Sequence, residues 1–174
     1  MHLASSIGWL GMDASLLVLG IVGLTTSDPV TVRASFVSAG ALSTYLLPIL
    51  SLLALVTGIV LALGSGWGLF RHWWVLISLV LTTVVTVAVL LALAPMLRES
   101  ATQAASLSNA TLIATMADAR VRLVVAPAAA LIVLVFLTGM NVHKPWGRVG
   151  GGASNRPTAV TTAGDADPVD AEQG

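Results

Sequence analysis

Two long apolar runs occupy the middle of the chain, between residues 46 and 96. The first continues to residue 61 and the second covers residues 75–96, and neither contains a charged side chain. At about 1.5 Å per residue each run can cross about 30 Å of hydrocarbon, the first with help from the residues just before it. Glycines, tryptophans and one arginine fill the connection at residues 64–74, which is typical of a turn at a membrane surface. The pattern predicts a transmembrane helical hairpin.

The composition indicates the same class of protein. Of the 174 residues, 56% are hydrophobic and 9% are charged, whereas soluble domains have about 25% charged residues. So few charges cannot cover the surface of a soluble domain, which indicates a membrane protein. The net charge of zero argues against nucleic acid as a partner. The absence of cysteine removes disulfides, thiolate metal ligands and cysteine nucleophiles.

The first apolar segment, residues 3–24, is interrupted by Asp13. An aspartate at a helix centre costs about 2.5–3.5 kcal/mol on an insertion scale, and each Leu, Ile or Val returns about 0.3–0.6 kcal/mol, so the segment can still insert. A signal peptide is the competing interpretation. No Lys or Arg precedes Leu16, and residues 25–29 match a cleavage site poorly. We therefore expect a retained helix.

Asp28 and Pro29 are typical of a helix start, with Asp as N-cap and Pro in the first turn. Residues 30–46 are mixed in polarity, so we expect this segment to begin at or above the membrane surface. It can continue into the second span through a kink at Pro48. Small residues then recur every four positions, which is either a helix contact face or a chance pattern in an Ala-rich chain: Ala54, Gly58 and Ala62.

Residues 97–120 carry charged and polar side chains without a turn cluster and predict an amphipathic or protruding helical segment. A fourth span follows, in which Pro127 is tolerated. The fold class is therefore all-α, a four-helix transmembrane bundle in residues 1–148 with helices near 3–24, 41–64, 73–96 and 121–141. Residues 149–174 are mostly Gly, Ala, Thr, Pro and Asp and predict a disordered polar tail.

With four spans, both termini and the turn at residues 64–74 share one face of the membrane. That face has Arg71, Lys144, Arg148 and Arg156, and the other has Arg33, Arg98, Arg120 and Arg122. The two faces carry the same number of Lys and Arg residues, so the positive-inside rule does not decide the orientation. We expect a multi-pass protein of the cell membrane with both termini cytoplasmic, because a disordered tail then needs no export.

The same topology brings three histidines to one face: His2, His72 and His143. Met1 and Met140 join them, and His and Met are copper ligands, while imidazole also holds haem iron. These three histidines are candidate metal ligands. Tryptophans crowd the same face, so the alternative is an interfacial belt with ordinary polar histidines: Trp9, Trp67, Trp73, Trp74 and Trp146.

Asp13 is an intramembrane carboxyl group and therefore a candidate functional residue. It either binds a proton or cation inside the bundle, or is a neutral, hydrogen-bonded group that fixes helix packing. Its candidate polar partners are Thr82, Thr83 and Thr86. No Ser-His-Asp set, phosphate-binding glycine loop or paired carboxylate site is present, so no catalytic residues are assigned and we expect a protein that is not an enzyme.

Several of these motifs resemble a known family. His2, Trp9 and Gly11 form a His-x6-Trp-x-Gly opening similar to the first helix of CopD-type copper-resistance membrane proteins. Residues 67–74 and 144–147 resemble a small four-span bacterial family of unknown function in that neighbourhood. The resemblance covers most of residues 1–148 and implies the fold more than a chemistry. The copper role that it implies falls on His2 alone.

Three functions stay open at this point. The first is a non-enzymatic membrane protein of structural or accessory type, with the lipid bilayer and a membrane protein partner or a second copy as its contacts. The second is a CopD-like metal-handling protein or small transporter. The third is a haem-binding redox subunit, and the cofactor is otherwise unknown.

Overall fold

The computed structural model describes residues 2–64 and 73–143, apart from the side chains of Trp74 and of residues 141–143. Within these ranges the chain is helical and has no strand, which confirms the all-α prediction. The elements are α1 (His2–Thr25), α2 (Pro29–Gly64), α3 (Trp73–Ala88), a π-helical turn (Val89–Leu93), α4 (Ala94–Ser106), α5 (Asn109–Thr115) and α6 (Ala117–His143). The predicted turn after Gly64 and the predicted disordered tail lie outside the described residues.

Four stretches are long and apolar enough to cross a membrane: His2–Thr25, Pro29–Gly64, Val75–Ser106 and Ala117–Met140. The four-helix transmembrane bundle is thus confirmed, and the chain is a multi-pass membrane protein. We call the end of the bundle with His2, Gly64 and Trp73 the first face, and the end with Thr25 and Pro29 the second face.

The helix α2 is much longer than a single membrane span. Its 36 residues extend about 54 Å at 1.5 Å per residue. Asp28 caps its start, since one carboxylate oxygen accepts the N–H of Val30 at 3.2 Å and the other accepts the N–H of Thr31 at 3.0 Å. The helix then continues through Pro48 to Gly64. The predicted helix start and the continuation through Pro48 are both confirmed.

The segment at residues 97–120 is helical but not continuous. The helix α4 ends at Ser106, and Leu107 and Ser108 have extended backbone angles before α5 begins. The expectation that no turn breaks this segment is wrong. The backbone carbonyl of Ser108 accepts the N–H groups of Thr111 and Leu112, so a serine ahead of Asn109 starts a new helix here.

The four long helices pack as a bundle in which α1 contacts α2 and α6, and α3 contacts the same two helices. The helices α1 and α3 therefore lie diagonally across it. Two close approaches fix this packing. A Cβ atom at Gly20 would overlap the carbonyl oxygen of Leu123 in α6, and one at Gly40 would overlap the side chain of Ala101 in α4. Small residues let helix backbones approach closely where lipid supplies no hydrophobic driving force.

Candidate functional site

Asp13 lies on the face of α1 that points into the bundle. Its side chain is 1% exposed, and neither carboxyl oxygen has a hydrogen-bond partner. Trp9 precedes it by one turn, is 2% exposed and leaves its indole Nε1 without an acceptor. Both residues are surrounded by an apolar core to which Met12, Leu16 and Val89 contribute. The bundle interior thus contains a carboxyl group and an indole N–H that are both unsatisfied.

The threonines of α3 do not bond to Asp13. The hydroxyl of Thr83 is exposed and donates to the carbonyl of Leu79 at 2.8 Å, in its own helix. Thr86 is buried at 1% exposure, and its hydroxyl has no partner. The predicted threonine partners of Asp13 are therefore wrong, and its role in helix packing stays a prediction. Thr86 instead adds a third unsatisfied group to the interior.

His2 belongs to a polar network where α1 meets α2. Its Nδ1 lies 3.0 Å from the hydroxyl of Thr57, which also lies 3.2 Å from the hydroxyl of Ser5. Ser5 in turn donates to the backbone carbonyl of His2 at 2.9 Å. The imidazole packs on Gly58, where a Cβ atom would lie 3.1 Å from its Cε1. Gly58 thus belongs to a contact between α1 and α2, and Ala54 is also buried. Two residues of the predicted small-residue stripe therefore lie in helix contacts.

The structure describes one of the three predicted metal ligands in full. His72 lies outside the described residues, and His143 is described only as the last backbone position of α6. In residues 2–64 and 73–143, no group of three or more His, Cys, Asp or Glu side chains is placed to hold a metal ion. The metal site at His2, His72 and His143 stays a prediction.

The tryptophans do not form one uniform belt. Trp73 at the start of α3 is 49% exposed, as expected for a residue at the membrane interface. Trp9, in contrast, is buried in the core, so the assignment of this residue to the belt is wrong. Trp67 and Trp146 lie outside the described residues. The side chain of Trp74 also lies outside them.

Two arginines cap helix ends at the second face. The sequence indicated these two residues only as charges of that face. Arg120 donates to the carbonyls of Gly23 at 2.6 Å, Leu24 at 2.8 Å and Thr26 at 2.5 Å, at the end of α1. Arg33 donates to the carbonyls of Ala104 at 3.0 Å and Leu107 at 2.6 Å, at the end of α4. A cation at a helix C-terminus satisfies free carbonyls and opposes the negative end of the helix dipole. These caps tie α6 to α1 and α2 to α4.

A groove runs along the outer surface between α1 and α2. We call it the α1–α2 groove, and its lining residues are Ala14, Ser15, Val18, Leu19, Ser38, Ala41 and Leu42. More than half of these side chains are Ala, Ser or Val, so the groove is a shallow depression lined by small side chains. Ser15, Ser38 and Ala41 are exposed. The groove lies within the stretches of α1 and α2 that can cross a membrane.

No family model, curated protein or solved structure matches this chain.

Proposed function

We propose that this chain is a non-enzymatic accessory subunit that binds a transmembrane helix of another membrane protein in the α1–α2 groove. The observation that carries the proposal is a shallow depression, lined by small side chains, on the outside of a membrane bundle. Helix association in lipid depends on close packing of small residues and on interhelical hydrogen bonds. The groove offers both, because Ala14 and Ala41 permit close approach and Ser38 carries a hydroxyl, whereas the hydroxyl of Ser15 donates to the carbonyl of Gly11 in its own helix at 2.8 Å.

The shape of the groove favours a different protein over a second copy. A twofold-symmetric dimer places the same surface of each protomer against itself. Two facing grooves would leave a void between the protomers, and interiors without dispersion contacts are unfavourable. A single convex helix fills the groove instead. We therefore place the partner as a heterologous transmembrane helix.

The buried polar side chains support a non-enzymatic role. In the described part of the chain, four buried serines bond to carbonyls of their own helix: Ser5 to His2, Ser35 to Thr31, Ser43 to Gly40 and Ser51 to Pro48. Hydroxyls used in this way serve helix packing and do not converge on a reacting atom. The proposal includes a location in the cell membrane with both termini cytoplasmic.

Co-purification in mild detergent tests the accessory role. We expect wild type and Ala129→Leu to elute with one partner protein, and Ala41→Leu to elute without it, because a larger side chain fills the groove. Ala129 is the matched control, since it is an exposed alanine on α6 away from the groove. Elution of the wild type alone, or as a pure homo-oligomer, contradicts the proposal, and so does retention of the partner by Ala41→Leu.

One observation favours metal handling as a second candidate. Metal-ligating histidines usually hold their other ring nitrogen in a hydrogen bond, and Nδ1 of His2 bonds to Thr57. Nε2 would then be the ligating atom, and the CopD-like resemblance assigns copper. A haem-binding subunit is the remaining alternative, and a visible absorption spectrum of the purified protein tests it. A Soret band would support haem binding, and a spectrum without that band would show that the purified protein holds no haem.

A further inference from the structure

Two unsatisfied groups lie one helical turn apart on the buried face of α1, the carboxyl of Asp13 and the indole N–H of Trp9. The carboxyl of Asp13, the indole N–H of Trp9 and the hydroxyl of Thr86 are all buried without partners. Thr86 lies on the diagonal helix, twelve residues before Arg98, and is therefore at a different depth from Asp13. Leaving a buried polar group unpaired is unfavourable, because the group gives up its hydrogen bonds to water without replacing them. The two groups on α1 therefore point to a ligand or to water that completes the site of Asp13.

An ionised carboxylate is especially unfavourable there. Taking an unpaired charge from water into a low-dielectric interior costs far more than burying a neutral group, so such a group is favoured in its neutral form. A polar or ionisable side chain inside a membrane bundle is by default a functional residue. Asp13 is therefore most stable as the carboxylic acid, or when water and hydrogen-bond donors surround its oxygens.

The described charged side chains of the neighbouring helices do not neutralise Asp13. Arg33 and Arg120 are bonded to carbonyls at the second face. Arg98, which lies near the depth of Asp13, is exposed and bonds through Nε to Thr44 at 3.3 Å. The remaining titratable side chains of α2, α4 and α6 in the described ranges are exposed: Tyr45, Glu99, Asp118 and Arg122. His2, on α1 itself, bonds to Thr57.

Each neighbouring helix departs from regular α-helix close to this depth. The contacts of Gly8 with Leu50 and of Gly23 with Ser35 place Asp13 opposite the turn of α2 that precedes Pro48. The π-helical turn contacts α2, and α6 contains Pro127. Prolines and π turns free backbone carbonyls from the usual helical pairing, and water can bond to those carbonyls inside a bundle. Pro48 thus frees the carbonyl of Thr44 near the depth of Asp13, whereas the carbonyl freed by Pro127, that of Leu123, lies against Gly20.

We propose that Asp13 binds an exchangeable proton inside the bundle, and that the indole N–H of Trp9 and water complete this site. The carboxylate takes up one proton to become the acid, whose O–H donates to water. The indole N–H of Trp9 donates to the carboxylate when the proton leaves. This site is distinct from the α1–α2 groove and does not depend on a partner protein.

Infrared spectroscopy of the detergent-purified protein tests the proposal. Only a protonated carboxyl shows the carboxylic C=O stretch, which shifts in deuterium oxide. We expect this band at neutral pH in wild type, its loss at alkaline pH, and its loss at neutral pH in Asp13→Asn. Asp118→Asn is the matched control, because it removes an exposed carboxyl and should keep the band. Asp13→Glu should keep it too, which guards against a folding defect in Asp13→Asn.

Absence of the band at neutral pH overturns the proposal, as does a band that persists through the alkaline range. Loss of the band when sodium is added at constant pH also overturns it, because the site would then take a metal cation in place of the proton.

Labelling with dicyclohexylcarbodiimide adds an independent readout. The protonated carboxyl adds across one C=N bond of the carbodiimide and forms an O-acylisourea. This adduct rearranges to a stable N-acylurea without loss of atoms. We expect one adduct on Asp13 that is lost as the pH rises, and equal labelling at every pH would contradict the site.

Discussion

The backbone of Gly20 in α1 lies against the carbonyl oxygen of Leu123 in α6, so closely that a Cβ atom at position 20 would overlap it. Pro127 stands four residues after Leu123 and has no N–H to donate to that carbonyl. A Cα–H group can approach such a carbonyl at a helix interface. The glycine and the proline therefore act together in joining α1 to α6.

This contact predicts that Gly20 is sensitive to substitution. We expect Gly20→Ala to lower the free energy of unfolding by about 1–3 kcal/mol, since overpacking shifts backbone as well as side chains. Gly11→Ala is the control, because a Cβ atom there meets nothing within 4 Å. The control should be neutral or stabilising, since alanine favours helix by about 1 kcal/mol over glycine. Thermal unfolding in detergent measures both, and equal effects would refute the contact.

The helix cap at Arg120 predicts a loss of stability at the second face. Arg120→Gln removes hydrogen bonds to the carbonyls of Gly23, Leu24 and Thr26. Hydrogen bonds to a charged group contribute about 1.5–3 kcal/mol each at most, and partial exposure reduces this, so we expect a loss of about 1–3 kcal/mol. Arg122→Gln, on an exposed side chain two residues away, should change stability little. Hydrogen exchange at the end of α1 should rise only in Arg120→Gln, and a rise in both variants would contradict the cap.

The capping bonds of Asp28 predict that the stability of the first turn of α2 depends on pH. The hydroxyl of Thr31 and the N–H groups of Thr31 and Val30 bond to the carboxylate and hold the pKa of Asp28 below its ordinary value. A lowered pKa in the folded state means that this stabilisation is present above the ordinary pKa and is lost as the pH falls through the folded-state value. Hydrogen exchange in the first turn of α2 should therefore increase in acid.

The variant Asp28→Asn separates the cap from its charge. Asparagine caps helices about as well as aspartate does, so the first turn should stay protected but lose its dependence on pH. Asp28→Ala should expose the first turn at every pH. The assignment fails if wild type and Asp28→Asn respond to acid alike.

The predicted histidine site can be tested by metal content. Zinc-like bonds of about 2.0–2.1 Å require His2, His72 and His143 to converge on one ion. If they do, His72→Ala and His143→Ala should each lower the bound copper or zinc steeply, whereas an interfacial role predicts no change. Thr57→Val adds a structural control, because it removes the hydroxyl that bonds to Nδ1 of His2. Equal metal content in all samples, or none, would leave the histidines without a metal role.

The sequence predicted the four spans well because hydrocarbon admits few alternatives to long apolar helices. Asp28 and Pro29 marked a helix start because capping is local chemistry. The sequence missed the break at Leu107 and Ser108, although the serine before Asn109 was an available signal. It also could not show that Arg120 caps α1, that Gly20 meets Leu123, or that Asp13 lacks a bond to Thr86. Each of these depends on which helix faces which, and single-sequence periodicity in uniformly apolar helices does not specify that.

Site-specific photo-crosslinking in native membranes tests the proposed accessory function most directly. A photoreactive amino acid at position 41 should form an adduct with one partner protein, while the same group at position 129 should not. Adding Ala14→Leu to the position 41 protein should suppress the adduct, because Ala14 lines the same groove. Equal adducts at positions 41 and 129, adducts with lipid or a second copy alone, or no effect of Ala14→Leu would contradict the account.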